Sequence, residues 1–195
     1  MKNLSETLRK SIHLSSLVIP LSYRYILNYN KNNAFILILA ALVISLLIEM
    51  HRLWQDSFAR TFNLMFGNIL RKHELKSFTG ATYLLLASLL CITFFSPEIA
   101  SASIAFLSIG DTFAALVGIN FGKRKFIRNG KSLEGSIACF ASCLIFGLFW
   151  LNNPWLAVIG ALVATIAELA LIEIDDNIVI PLSSGLIMSI AKLFI

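Results

Sequence analysis

SIGDTFAALVGINFGKRKFIRNGKSLEGS, residues Ser108 to Ser136, is the stretch on which the reading of this chain turns. It begins inside an apolar, helix-like segment that carries one aspartate, Asp111, and it leaves that segment through Gly118 and Gly122. A basic hairpin follows (Lys123, Arg124, Lys125, Arg128, Lys131), and apolar sequence resumes at Ser132-Leu133-Glu134-Gly135. A carboxylate inside a membrane segment costs about 2.5–3.5 kcal/mol on insertion scales, so it usually faces a polar site. Beside a glycine-broken, lysine-rich turn the fitting partner is a metal-bound phosphate. The carboxylate suits Mg²⁺, while lysines, arginines and free backbone N–H groups suit phosphate oxygens.

The rest of the chain supports a membrane setting. It is 57% hydrophobic and 14% charged, with a mean hydropathy of +0.80. Soluble domains lie near 45–50% apolar and about 25% charged. The reading is one all-α, polytopic membrane bundle spanning residues 1–195 as a single domain, with no linker, repeat or low-complexity tract to divide it. The net charge of +5 does not point to nucleic acid, because the basic residues lie in short loops where they set topology. Cys91, Cys139 and Cys143 all fall in apolar segments and are read as packing residues. Lys2, Arg9 and Lys10 precede an apolar run, as in a secretory leader. Pro20, Tyr23 and Arg24 interrupt that run, and it is read as a retained first span.

About seven spans are expected from length: 11–28, 34–50, 79–96, 97–119, 133–151, 154–174 and 178–194. Residues 51–78 are too charged to cross. Leu53, Trp54, Phe58, Phe62, Met65, Phe66 and Ile69 recur there at helical spacing, which predicts an amphipathic helix on the cytoplasmic surface. With seven spans, all of the 16 lysines and arginines except Arg24, Lys31 and Lys192 fall on one side. Basic residues accumulate in the cytoplasm, so the N-terminus is expected inside and the C-terminus outside. The composition, rich in Ile, Asn and Lys, suggests a prokaryotic plasma membrane. Nearly every polar residue lies toward the cytoplasmic end of its span, which predicts one cytoplasm-facing site rather than a conduction path.

Asp111 is eight residues from the end of its span, about 12 Å at 1.5 Å per residue, and no basic residue is expected in the neighbouring spans to pair with it. Asp175-Asp176-Asn177 precedes Pro181 at a helix junction, where adjacent carboxylates suit either a divalent cation or an ordinary N-cap. Ser132 can cap the fifth span, and the same helix N-terminus with Lys131 beside it can hold an anion. The G-x-x-x-x-G-K-[ST] spacing of a phosphate loop is absent. Glu49 and Arg52, three apart, fit an intrahelical pair. Glu168, deep in the sixth span, attracts the same suspicion as Asp111.

Taken in order, these residues resemble the CTP-dependent lipid-alcohol kinases: dolichol kinase, phytol kinase and the yeast-type CTP-dependent diacylglycerol kinase. The resemblance runs through Arg9-Lys10 with His13, Glu49 with Arg52, Thr79-Gly80-Ala81-Thr82, Gly110-Asp111-Thr112, Ala114-Ala115, Gly118, Gly122-Lys123, Gly130-Lys131-Ser132, Glu134-Gly135, Asp175-Asp176-Asn177 and Ile180-Pro181-Leu182. The phosphatidate cytidylyltransferases look similar around Gly110-Asp111 and Lys131–Gly135. Their C-terminal signature is replaced here by Asp175-Asp176-Asn177 and Ile-Val-Ile-Pro, which favours phosphoryl over cytidylyl transfer. The resemblance implies an enzyme that moves the γ-phosphate of CTP, with Mg²⁺, onto the hydroxyl of a membrane lipid (a polyprenol or dolichol, phytol, or diacylglycerol). Mg²⁺ would rest on Asp111 with Asp175 or Asp176. Arg9, His13, Arg52, Thr79, Thr82, Gly118, Gly122, Lys123, Arg124, Lys131 and Ser132 would hold nucleotide or phosphate. Asp111, Glu134 and Glu168 are the catalytic candidates. A CDP-lipid-forming enzyme, a small transporter and a membrane scaffold are the alternatives, and the oligomeric state, a homo-oligomer included, is left open.

Overall fold

The structure, a computed structural model, describes residues 2–126, 130–170 and 174–195. Among them the chain forms nine helices: α1 (Lys2–Ser15), α2 (Val18–Tyr25), α3 (Lys31–Trp54), α4 (Asp56–Phe66), α5 (Gly80–Phe94), α6 (Pro97–Phe121), α7 (Leu133–Trp150), α8 (Pro154–Leu169) and α9 (Asp176–Ala191). No strand is formed among these residues. The only ladder pairing is an isolated antiparallel bridge between Lys125 and Ser132, which closes the predicted basic hairpin. Arg128 and the last turn of the predicted 154–174 span lie outside the described residues.

α6 is the axis of the bundle. Every residue from Ile99 to Gly110 is buried, and α1, α2, α5, α7, α8 and α9 all pack on it. Its small residues allow this. A Cβ on Gly110 would come within 2.9 Å of both the Cys139 and Cys143 sulfurs on α7, so these cysteines are packing residues set against a glycine. Nearer the helix end, a Cβ on Gly135 would lie 2.7 Å from the Ala114 carbonyl, and α6 and α7 thus converge closely at the basic hairpin. α3, α6 and α7 are long and apolar enough to cross a bilayer, and α5, α8 and α9 are shorter apolar helices. α3 presents Ile36, Leu37, Val43, Ile44 and Leu47 outward, the exposure expected of a helix facing lipid. The chain is a polytopic membrane helical bundle.

Two predicted elements differ. The 11–28 span is broken between α1 and α2 at Ser16-Leu17. Pro20 lacks an N–H, and its ring collides with the carbonyl four residues back, which is that of Ser16. The Ser16 carbonyl instead accepts from the Ile19 amide (3.0 Å), while the Ser16 hydroxyl donates to the His13 carbonyl (2.5 Å) and bonds to Ser108 Oγ on α6 (2.6 Å). The expected surface helix over 51–78 is also much shorter. α3 continues to Trp54, α4 covers only Asp56–Phe66, and 67–79 is a folded loop. The reason is the buried Glu49–Arg52 pair. Arg52 donates to the carbonyls of Leu75 (3.3 Å) and Ser77 (2.6 Å), while Glu49 Oε1 accepts from the Thr79 amide (3.1 Å). Charges that read as a solvated face pin the loop inward. α4 itself keeps an interfacial character, with Leu64 and Met65 at 85% and 69% exposure.

The two ends of the bundle differ in chemistry. At one end Arg24 donates to the Trp150 carbonyl (3.0 Å) and stacks over its ring, beside Tyr25. Aromatic residues with snorkelling cations are the usual furniture of a membrane interface. At the other end the titratable residues of α1, α6, α8, α9 and the hairpin converge.

Candidate active site

At that second end the N-termini of α7 and α9 and the C-terminal parts of α6 and α8 surround a polar cavity of about 510 Å³. Arg9, Lys10, Arg71, Lys125 and Lys131 line it together with Asp111, Glu168, Asp176, Gly118, Gly122 and Gly130. A Cβ on Gly118 or Gly122 would meet Ser132 Oγ at 3.0 or 2.7 Å, so these two glycines let the α7 cap pack against the end of α6. Gly130 has φ +68°, the left-handed conformation that tightens the hairpin. Ser132 caps α7 by accepting from the Gly135 amide (3.1 Å), so the free end of α7 opens on this cavity as an anion-compatible helix N-terminus.

Asp111 has a partner that sequence reasoning excluded. Lys10, 3% exposed, donates from Nζ to Asp111 Oδ2 at 2.5 Å, and His13 Nε2 lies 3.4 Å from the same oxygen. The lysine comes from α1, which was read as the start of a weak first span. The Pro20 break lets α1 pack on α6 with its cationic face against the aspartate. Asp111 is therefore a charge-compensated carboxylate, which weakens the case for it as a metal ligand.

The acidic motif of α9 divides in two. Asp175 caps its helix, accepting from the Asn177 backbone (2.9 Å) and side chain (2.6 Å), and lies 3.7 Å from Arg71. Its oxygens are committed, and it does not line the polar cavity. Asp176 does, as does Glu168. Lys131 Nζ stands between them at 3.7 and 3.1 Å and also bonds to the Glu168 carbonyl. One lysine faces two carboxylates, Asp111 adds its own repulsion to both, and Glu168 Oε2 is buried without a hydrogen-bond partner among the described residues.

The remaining predicted residues separate clearly. Arg9, Gly118, Gly122, Lys131 and Ser132 meet at the polar cavity. His13 and Thr79 line a neighbouring, mainly apolar cavity, which also touches Arg9, Arg71 and Asp111. Arg52 is consumed by Glu49 and the loop carbonyls. Thr82 bonds to Ser45 Oγ at 2.7 Å and ties α5 to α3. Glu134 accepts from the amides of Lys123 (3.2 Å) and Arg124 (3.3 Å), so it shapes the hairpin, and those two basic side chains are exposed. Sequence reasoning missed Lys10, Arg71, Lys125 and Glu74 as site residues. Glu74 anchors the loop by accepting from the Arg71 and Gly80 amides (2.6 and 2.7 Å), and this presents Arg71 to both cavities. Only Lys10 and Lys125, which flank recognised motifs, carried a local signal.

Comparison with known proteins shows the family of the chain. No family model and no solved structure matches the chain. The CTP-dependent diacylglycerol kinase 1 of Saccharomyces cerevisiae is 31% identical over 209 residues, covering 93% of this chain and 71% of that protein. The protein of the same name from Schizosaccharomyces pombe is 30% identical over 150 residues, covering 68% and 69%. An uncharacterized protein of Rickettsia prowazekii is 29% identical over 190 residues, covering 91% and 90%. Similar along most of its length to these kinases, the chain belongs to the family of CTP-dependent diacylglycerol kinases.

Proposed function

We propose that this protein transfers the γ-phosphate of CTP to the hydroxyl of diacylglycerol, with Mg²⁺, at a site facing the cytoplasm. One observation carries the reading: five basic side chains and three carboxylates meet in a single polar cavity beside the N-terminus of α7. A triphosphate needs cations and backbone N–H groups, and the volume of about 510 Å³ lies within the range of small-ligand sites. Diacylglycerol as acceptor is supported by the names of the yeast relatives. The cytoplasmic orientation is supported by the basic loops gathered at the same end of the bundle as the cavity, and the cytoplasm supplies CTP.

Among the described residues no three His, Cys, Asp or Glu side chains converge closely enough to hold an ion by themselves. Mg²⁺ does not require that, because it is commonly held by one or two carboxylates together with substrate phosphates. Glu168 and Asp176 fit the role. They are held close by Lys131, and one Glu168 oxygen lacks a partner among the described residues. Mg²⁺ there supplies charge neutralisation of the phosphate oxygens.

In the transfer the acceptor oxygen forms a bond to Pγ. The bond from Pγ to the bridging oxygen of the β-phosphate breaks, and CDP leaves with the electron pair. Asp111 receives the hydroxyl proton, while Lys10 balances its charge before the transfer. Lys131, Lys125, Arg9 and Arg71 stabilise the charge that spreads over the phosphoryl oxygens. Positioning and electrostatics of this kind account for most phosphoryl-transfer catalysis.

The test incubates the purified protein in lipid with Mg²⁺, γ-labelled CTP and a panel of diacylglycerol, dolichol, polyprenol and phytol. Label in phosphatidate with release of CDP is expected, and Asp111→Asn, compared per folded protein because it strands the buried Lys10, should abolish it. Label transferred from α-labelled CTP onto phosphatidate, with none from the γ-position, overturns the kinase reading in favour of a cytidylyltransferase.

A further inference from the structure

Asp111 is a wall between two cavities of opposite character. On one side is the polar chamber. On the other lies a cavity of about 320 Å³, enclosed by α1, α4, the 67–79 loop, α5 and α6, and lined by Ile12, Phe62, Phe66, Ile69, Leu70 and Leu84. We infer that this second cavity seats the glycerol backbone and the first acyl carbons of the lipid acceptor, with its hydroxyl at the Asp111–His13 end. The inference rests on the kinase reading above and adds where the acceptor sits and which residues select it.

Of the polar groups lining the cavity, Arg9 and Arg71 are shared with the polar chamber, and Arg71 lies 3.7 Å from Asp175. Glu74 is saturated by two backbone amides, Asn177 donates to Asp175, and Ser16 is bonded to the His13 carbonyl and to Ser108. His13 Nε2 is different: it is buried, it lies 3.4 Å from Asp111 Oδ2, and it makes no hydrogen bond among the described residues. A buried polar atom left without a partner is costly, and a ligand hydroxyl is one way to satisfy it. The cavity thus joins apolar walls to an imidazole nitrogen beside Asp111 that lacks a hydrogen bond among the described residues, which matches an amphiphile presenting a hydroxyl there.

Size and placement argue the same way. Small-molecule sites run from about 300 to 1,000 Å³, so this one takes a headgroup and excludes two long tails. The tails need an apolar exit. Ile12 and Phe66 line the cavity and are themselves 54% and 42% exposed, and α4 carries Leu64 and Met65 outward beside them. No residue of α4 is buried, so the wall formed by Phe62 and Phe66 is a surface helix at the level where lipid headgroups lie. An acceptor entering from the bilayer past α4 meets Asp111 from one side, and CTP in the polar chamber meets it from the other.

Two measurements test this on the full-length protein in lipid. The first is kinetics with dioctanoylglycerol on Ala81→Phe, at an exposed position lining the cavity where the new ring fills space without entering the core. Its KM for the lipid should rise at least about tenfold, while its KM for CTP stays within about twofold. The second is photo-crosslinking of the wild-type protein with a diacylglycerol bearing a diazirine near its glycerol end. Labelled peptides from α4 and α5 are expected, with protection by unlabelled diacylglycerol. If the wild-type protein transfers no phosphate from CTP to any lipid, the kinase reading fails. If it transfers normally but the crosslinks map elsewhere, or Ala81→Phe alters KM for CTP and not for lipid, the acceptor assignment alone is overturned. Should Ala81→Phe fail to fold, the crosslinking map decides.

Discussion

Replacing Lys10 with methionine keeps most of the side-chain stem and removes the cation 2.5 Å from Asp111. At that distance two unit charges attract by about 332/(20 × 2.5), or ~7 kcal/mol, at an effective dielectric of about 20. Burial of both groups, 3% and 13% exposed, offsets much of this attraction. The quantity that governs the variant is the cost of leaving Asp111 buried without its lysine, about 3–5 kcal/mol for such pairs. His13, 3.4 Å away, compensates part of it. Lys10→Met should therefore lose ~3 kcal/mol or more of stability in detergent unfolding, and turnover should fall with it. The double variant Lys10→Met/Asp111→Asn separates structure from chemistry. It removes both charges, so most of the lost stability should return, while transfer of γ-phosphate should remain below about 1% of wild type. The reasoning is refuted if Lys10→Met unfolds within ~1 kcal/mol of wild type with normal turnover. It is refuted equally if the double variant regains turnover.

Asp176→Asn should raise the Mg²⁺ concentration needed for half-maximal activity by about tenfold or more, as loss of a metal ligand does. Asp175→Asn, at a helix cap, should leave that requirement unchanged and shift stability by less than ~1 kcal/mol, because asparagine caps nearly as well. A magnesium titration of both variants decides whether the two neighbouring aspartates divide their labour this way. Arg52→Ala leaves Glu49 buried and frees two loop carbonyls, so the variant should lose about 3–5 kcal/mol of stability. KM for CTP in its folded fraction should stay within about twofold, and a large rise in that KM would reinstate Arg52 as a nucleotide contact.

Residues that act through their own helix end were legible in the sequence. Ser132 caps α7, Lys131 stands beside it, and Gly122 ends α6 against that cap, all within one turn or hairpin. Glu168 and Asp111 were legible for another reason: a carboxylate in an apolar run is costly wherever it lies, so its presence marks a polar site. Partner choice was not legible. Lys10 and Asp111 are 101 residues apart, and their contact depends on how α1 docks after the Pro20 break. Arg71 and Glu74 looked like part of a surface face until the Glu49–Arg52 pair folded the loop inward and delivered Arg71 to both cavities.

By itself the sequence determined that the chain is a membrane helical bundle and at which end of its helices the chemistry gathers. Hydrophobic length, glycine exits and loop charge are local properties that the bilayer reads directly. Only the tertiary structure decided which cation meets which carboxylate, that Asp175 is spent on a cap while Asp176 faces the cavity, and that Asp111 divides a polar chamber from an apolar one. Those outcomes depend on helix rotation and docking, which arise from packing between segments distant in the chain, and no pattern within a single segment encodes them.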